Sequence, residues 1–426
     1  MRVAMLSVHT CPLAALGGKD TGGMNVYVRE LSRELGNQGV MVDIYTRSQD
    51  HGVPRVCHDL GPPVEVIHIP AGPEQPYDKR KVYEHLPEFV GGVLDHVAQQ
   101  GLKYDLIHSH YWLSGVAAMG LREAWGGHLP IIQMFHTLGE LKNQVAQTPQ
   151  ERESDLRIQK EREVMVHADC LIAASPLEKS QMVWLYQANP NKIVVIPPGV
   201  DLNLFRPIPL EEARAWVGIR DGCQNILFVG RIEPLKGIDM LLHALKLIVE
   251  ADPNWLQHLC VAIIGGDASM PIEQMESEMA RLHRLRAEMG LNDLVTFVGK
   301  QDQTTLPYYY SAAEMLVMPS YYESFGMVAL EAMACGTPVV ASRVGGLTYN
   351  VLHGISGLLV PERNPAALAD AITRLLTDPS LRNRLSRGAL QVAECYGWGN
   401  ITGKILQLYR RLLAPPKMEP VMTLTT

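Results

Sequence analysis

The residues best placed to do chemistry lie in the run SYYESFGMVALEAMACGTPVVASRV, residues 320–344, where Glu323 and Glu331 stand eight positions apart. Glu331 falls among Met327, Val328, Ala329, Leu330, Ala332 and Met333. Burying a carboxylate in such a setting is expensive unless something hydrogen-bonds it. The hydroxyls of a ribose or hexose would do so; a nearby Arg or backbone amides would do so with no ligand at all. A second constellation is Arg231 and Lys236 in FVGRIEPLKG, between a strand end and a helix start. Two cations at that spacing can neutralise one diphosphate, and solvated surface charge is the plainer alternative. A third is Gly22-Gly23, with Gly17-Gly18 upstream, ahead of a helical pattern. Bare N–H groups and the helix dipole favour an anion there, although paired glycines also make ordinary turns. Histidines follow two strand-like runs, in YDLIHSHYWLSG and IIQMFHTLGELKN. The basic cluster DKRK, Asp78–Lys81, reads by itself as a solvated face.

Positioning these groups takes a layered scaffold. Apolar runs at 2–8, 40–46, 64–69, 105–108, 130–135, 170–174 and 192–196 alternate with helical patterns near 25–38, 82–99, 113–125 and 151–167. Further runs at 225–230, 259–265, 295–298, 315–319 and 339–341 repeat the scheme. The alternation predicts an α/β protein with parallel sheets covered on both faces. Ligands of such sheets bind beyond the carboxyl ends of the strands. A helix is expected over Phe325–Ala334, capped by Ser324 or a neighbour and ended by Gly336.

The chain has 426 residues, which predicts two domains, because single cores seldom grow past ~250–300 residues. Pro197-Pro198-Gly199 and Pro207 to Pro209 mark the linker, giving a first domain over 1–205 and a second over 206–395. A last helix within 396–413 is expected to return to the first domain, and the proline-containing tail 414–426 to be disordered. The net charge of −7 and pI near 6.1 argue against nucleic acid as a partner, since phosphate binding needs a basic face. Seven scattered cysteines, none in a C-x-x-C pair, fit a reducing cytoplasm without structural zinc. Met1-Arg2 leads straight into an apolar strand, so no signal peptide is expected. No apolar run approaches the ~20 residues that span a bilayer, so no stable membrane association is expected.

The Glu-x7-Glu spacing with SFG and CGTPVVAS, together with G-R-x-x-P-x-K-G at 230–237, resembles the family-4 retaining glycosyltransferases. The resemblance spans about Arg2–Leu413. It implies the GT-B fold, two Rossmann-like doubly wound domains facing across a cleft, with a nucleotide sugar as donor. It places Glu323 on the transferred sugar, with Ser324, Phe325 and Gly326 beside it, and Glu331 on the nucleotide ribose. Arg231 and Lys236 would hold the donor diphosphate, with Gly23 approaching it through its amide. A loop near 299–302, including Lys300 and Gln301, would hold the base. His136 would meet the sugar near its reacting carbon. Asn25, Tyr111, Thr137 and an Arg of the following helix would hold the acceptor. Arg157 fits that Arg best, with Arg152 and Arg162 as rivals. A Lys for an acceptor phosphate would come from DKRK, Lys81 being favoured over Lys79.

The chain contains no Asp-x-Asp, the usual metal-binding motif of the other major glycosyltransferase class. With Arg231, Lys236 and helix N-termini available, its absence implies leaving-group stabilisation by fixed charges. No metal and no cofactor are expected. The implied mechanism is front-face transfer without a covalent glycosyl-enzyme, in contrast to a retaining glycosidase. Two branches of the family come closest. Gly22-Gly23-Met24-Asn25-Val26-Tyr27, HSHYWLSG and HTL…KN resemble D-inositol-3-phosphate glycosyltransferase, which would use UDP-N-acetylglucosamine. His136-Thr137-Leu138-Gly139 with Lys142 resembles sucrose-phosphate synthase, which would move glucose from UDP-glucose, or ADP-glucose, to fructose 6-phosphate. The second is preferred, and both share a phosphorylated sugar or polyol acceptor. A nucleotide-sugar epimerase on the same scaffold is a distant third, since fold alone does not fix function.

Overall fold

The computed structural model describes residues 1–15, 21–75, 77–146, 148–220, 222–267, 275 and 277–414. Gly17-Gly18 and all but the first residue of the 414–426 tail therefore lie outside the described residues.

The first sheet contains β1 (Arg2–Leu6), β2 (Met41–Arg47), β3 (Val56–Cys57), β4 (Val64–Ile69), β5 (Leu106–His110), β6 (Ile131–Met134), β7 (Cys170–Ala173) and β8 (Ile193–Val195). The second contains β9 (Gln224–Val229), β10 (Leu259–Ile264), β11 (Val295–Gly299), β12 (Met315–Met318), β13 (Val339–Ser342) and β14 (Gly357–Val360). Their spatial orders are β3-β4-β2-β1-β5-β6-β7-β8 and β11-β10-β9-β12-β13-β14. All pairings are parallel except β3 with β4. Central strands are apolar on both faces because helices cover both: Val3, Ala4, Met5 and Leu6 of β1 are fully buried. The short antiparallel β3 and the strand β14 were not foreseen. β3 has two residues, too few for a pattern.

Each order reverses direction once, between β1 and β5 in the first sheet and between β9 and β12 in the second. A doubly wound sheet opens a crevice at that switch point. The loops after β1, β5, β9 and β12 carry most of the chemical residues picked out above. The sheets are joined by two chain passages lying side by side, where the Val200 N–H donates to the Tyr396 carbonyl at 2.9 Å. The final helix, Trp398–Leu413, then packs on the helix Gly23–Asn37 of the first domain. Its Tyr409 hydroxyl lies 2.7 Å from His108 Nδ1 on β5.

One local expectation needs correction. The helix of residues 320–344 begins at Met327, not Phe325, and Ser324 does not cap it. Its N-cap is Gly326 at φ 92°, a left-handed conformation that glycine adopts without steric cost. Asn350 fixes this turn by donating to the Phe325 carbonyl at 2.6 Å. Cys223 and Cys260 form a disulfide, a bond that the scattered cysteine spacing neither required nor excluded. They lie at the starts of β9 and β10, neighbours in the sheet though 37 residues apart in sequence. Among the described residues no helix is long and apolar enough to cross a membrane.

Candidate active site

A cavity of about 340 Å³ lies between the two switch points, lined from both domains. From the second domain come Arg231, Lys236, Glu323, Ser324, Phe325, Gly326 and Glu331; from the first come Gly23, Asn25, Tyr111, His136 and Thr137. Lys300 and Gln301 line it as well.

In the second domain the loops after β9 and β12 meet directly. Lys236 Nζ lies 2.5 Å from Glu323 Oε2, joining the two motifs across the switch point. Arg231 pairs with Glu233 at 2.7 Å. The Glu323 loop is held by close backbone packing: a Cβ on Gly345, at φ 47°, would sit 1.7 Å from the Glu323 carbonyl oxygen. Glu331 is buried and accepts a hydrogen bond from the Tyr310 hydroxyl at 2.8 Å. Burial pushes its carboxyl up to about 7, and hydrogen bonds from Tyr310 and Gln303 with the charge of Arg29 restrain the rise. The partners are therefore a tyrosine and a glutamine, not the local Arg or backbone amides considered above. Gln303 also accepts from Arg29 of the first domain, so Glu331 is tied across the cleft.

In the first domain, two wall residues hold left-handed backbone conformations that are uncommon outside glycine: Tyr111 at φ 73° and His136 at φ 61°. They sit just past the ends of β5 and β6, where such strain turns a side chain from the sheet into the crevice. Burial pushes His136 down to about 3, so its imidazole is neutral. Asn25 braces the first loop, accepting from the Gly22 N–H at 3.0 Å and donating to Thr10 Oγ1 and the Cys11 carbonyl at 2.7 and 2.8 Å.

The expected cations are rearranged. Lys81 is exposed and outside the cavity wall, whereas Lys79 lines it. The chain turns at 78–81 before a 3₁₀ helix starts at Val82, so α-helical spacing does not tell which lysine faces inward. Arg157 is buried behind the wall and is not itself a lining residue. Its guanidinium pairs with Glu161 at 2.7 Å and Glu153 at 2.9 Å, donates to the Thr137 carbonyl at 2.9 Å, and lies 4.9 Å from the centre of the Tyr111 ring. Arg152 and Arg162 line a separate polar groove, Arg162 pairing with Glu140. Lys142, held by Glu153 at 2.6 Å, reaches the cavity, and burial lowers its pKa. His9, which no motif had singled out, packs against Tyr111 with ring centres 4.3 Å apart and planes inclined at 40°. Its position just past β1, at the switch point, is the signal that could have found it. Among the described residues no group of three or more His, Cys, Asp or Glu is placed to hold a metal ion.

Comparison with known proteins agrees with this architecture. Residues 21–204 match the family described as Glycosyltransferase Family 4, and residues 211–392 match Glycosyl transferases group 1. A D-inositol 3-phosphate glycosyltransferase of Saccharomonospora viridis is 41% identical over 97% of this chain and 94% of its own. The chain belongs to the family-4 glycosyltransferases. A second D-inositol 3-phosphate glycosyltransferase, from Frankia alni, is 42% identical to this glycosyltransferase over 96% of the chain and 99% of its own. The solved sucrose-phosphate synthase of Thermosynechococcus elongatus superposes with a TM-score of 0.87 at 38% identity, covering 96% of this chain and 98% of that one. The glycosyltransferase therefore has the GT-B arrangement, and enzymes of its kind move sugars from nucleotide-sugar donors to sugar acceptors.

Proposed function

We propose that this glycosyltransferase moves a glucosyl group from UDP-glucose, with ADP-glucose as the alternative donor, to fructose 6-phosphate, retaining the anomeric configuration. The observation that carries the reading is one cavity in which the Arg231–Lys236 and Glu323–Glu331 motifs face His136, Tyr111 and Thr137 across the cleft. Arg231 and Lys236 take the diphosphate, with the Gly23 amide beside it. Glu331 accepts from the ribose hydroxyls. Glu323, Ser324, Phe325 and Gly326 hold the transferred sugar, which meets His136 on its other side. Lys79 and Lys142 bind the acceptor phosphate, Tyr111, Thr137 and Asn25 shape its pocket, and Arg157 adds its charge from behind that wall.

In the reaction the bond from the anomeric carbon to the diphosphate oxygen breaks. A bond to the acceptor hydroxyl forms on the same face. The hydroxyl proton passes to the departing phosphate, so no protein base is required. The neutral His136 is suited to contact rather than to proton transfer. Fixed cations stabilise the leaving group, without a metal or cofactor, and closure of the two domains contributes by aligning the substrates.

Inositol 3-phosphate with UDP-N-acetylglucosamine is the second reading, favoured by the relatives at 41 and 42% identity and by Met24 at the cavity wall. The structural likeness to the sucrose-phosphate synthase supports the first. Release of the nucleoside diphosphate (UDP, or ADP from ADP-glucose) is the test, measured without added metal for each donor with each acceptor. Turnover with fructose 6-phosphate supports the first reading and turnover with inositol phosphate replaces it. UDP release that ignores both acceptors would overturn the phosphate-acceptor reading.

A further inference from the structure

Three histidines from neighbouring strands run from the cavity wall into the core. His108 and His110 are two residues apart on β5 and so share a face of the sheet; both are fully buried, with ring centres 4.4 Å apart. His110 Nδ1 lies 3.0 Å from His136 Nε2, and His110 Nε2 lies 2.9 Å from Met5 Sδ on β1. His136 is partly exposed and lines the cavity.

The protons of this chain can be placed. A thioether sulfur accepts and cannot donate, and a neutral imidazole carries a single N–H. The contact with Met5 therefore requires the His110 proton on Nε2. That leaves His110 Nδ1 as a lone pair, which needs a donor facing it. His136 Nε2 must supply that N–H, so His136 Nδ1 is bare. Burial keeps all three rings neutral, which removes the doubly protonated alternative.

We infer that His110 is a positioning residue: relaying the Met5 contact, it locks His136 in the Nε2–H form, so that the ring atom left for the ligand, Nδ1, accepts a hydrogen bond from a hydroxyl of the donor sugar. The inference rests on the reading that His136 faces that sugar. It assigns His136 a discriminating task, because a sugar presenting only an acceptor at that position would meet a second lone pair. It also gives Met5, remote from any ligand, a bearing on turnover.

The test reads the tautomer directly. Imidazole 15N spectra of the free enzyme at pH 7, with His136 assigned through His136→Gln, are expected to show Nδ1 unprotonated and Nε2 protonated. A proton on Nδ1, or on both nitrogens, overturns the inference. Met5→Leu preserves volume and frees His110 to turn its proton over. His136 should then become a mixture of tautomers, with kcat falling in proportion to the fraction that leaves the Nε2–H form, about twofold for an even mixture, and acceptor KM unchanged. His110→Gln, which still offers an acceptor to His136, should lose less than His110→Phe. An unchanged tautomer and kcat in Met5→Leu also overturns it. The spectra need no substrate, so failure of the proposed acceptor in turnover assays is distinguishable from failure of this assignment.

Discussion

Replacing Glu331 by Gln should stabilise the free enzyme while damaging the site. The carboxyl is buried with its pKa raised from 4.5 to about 7, and each unit corresponds to ~1.4 kcal/mol of difference between its two protonation states. Because the folded-state value lies above the unfolded one, the group's contribution is fully favourable below about pH 4.5. It is lost progressively as pH rises to about 7 and stays lost above. The full loss is ~3 kcal/mol. Glutamine carries no charge at any of these values and can still accept from the Tyr310 hydroxyl. Thermal unfolding should therefore place Glu331→Gln roughly 5–10 °C above wild type at pH 8, with the difference shrinking towards zero at pH 5. Donor KM should rise about 10–100-fold at pH 8, the scale of a hydrogen bond to a charged group. For wild type, donor affinity should fall as pH drops below 7, because the protonated carboxyl is the poorer acceptor. A variant less stable than wild type at pH 8, or a stability difference that ignores pH, would refute the reasoning.

Lys79→Ala should raise the KM for a phosphorylated acceptor at least about tenfold, as expected for a lost charged contact, while Lys81→Ala leaves it unchanged; equal effects would return Lys81 to the site. Lys236→Ala removes a diphosphate cation and leaves Glu323 without its partner, so kcat should drop by about 10²–10³ in steady-state assays. Excess EDTA should leave turnover within about twofold if fixed charges serve the leaving group. Gly345→Ala puts a methyl against the Glu323 carbonyl at a left-handed position and should cost about 3 kcal/mol or more, visible as a lowered Tm and a raised donor KM.

The motifs legible in the chain were those confined to one strand–loop–helix unit. Arg231 and Lys236 lie in the segment between β9 and its helix, and Glu323 and Glu331 in the loop and helix after β12, so local order alone brings them to the crevice. Tyr111 and His136 were legible for the same reason, although their backbone strain was not. What escaped depends on distant partners. Asn350 shapes the turn at Gly326 from 24 residues away. Glu153 and Glu161 draw Arg157 behind the wall, and Tyr310 with Gln303 supplies the partners of Glu331. The Cys223–Cys260 bridge follows from a strand order that no local pattern encodes. The acceptor stayed divided in the sequence because Met24 and Gly139 point to different branches of the family.

The closing helix Trp398–Leu413 has a consequence for how the molecule is made. Its Ile401, Ile405, Leu408 and Tyr409 are buried, packed against the first domain, yet they leave the ribosome after the whole second sheet. The half of the protein that is synthesised first is thus completed last. Until then its Gly23–Asn37 helix exposes an apolar flank, the kind of transient surface on which nascent multidomain chains aggregate. Chain order and assembly order run in opposite directions here, so the second domain is the one equipped to finish folding during translation.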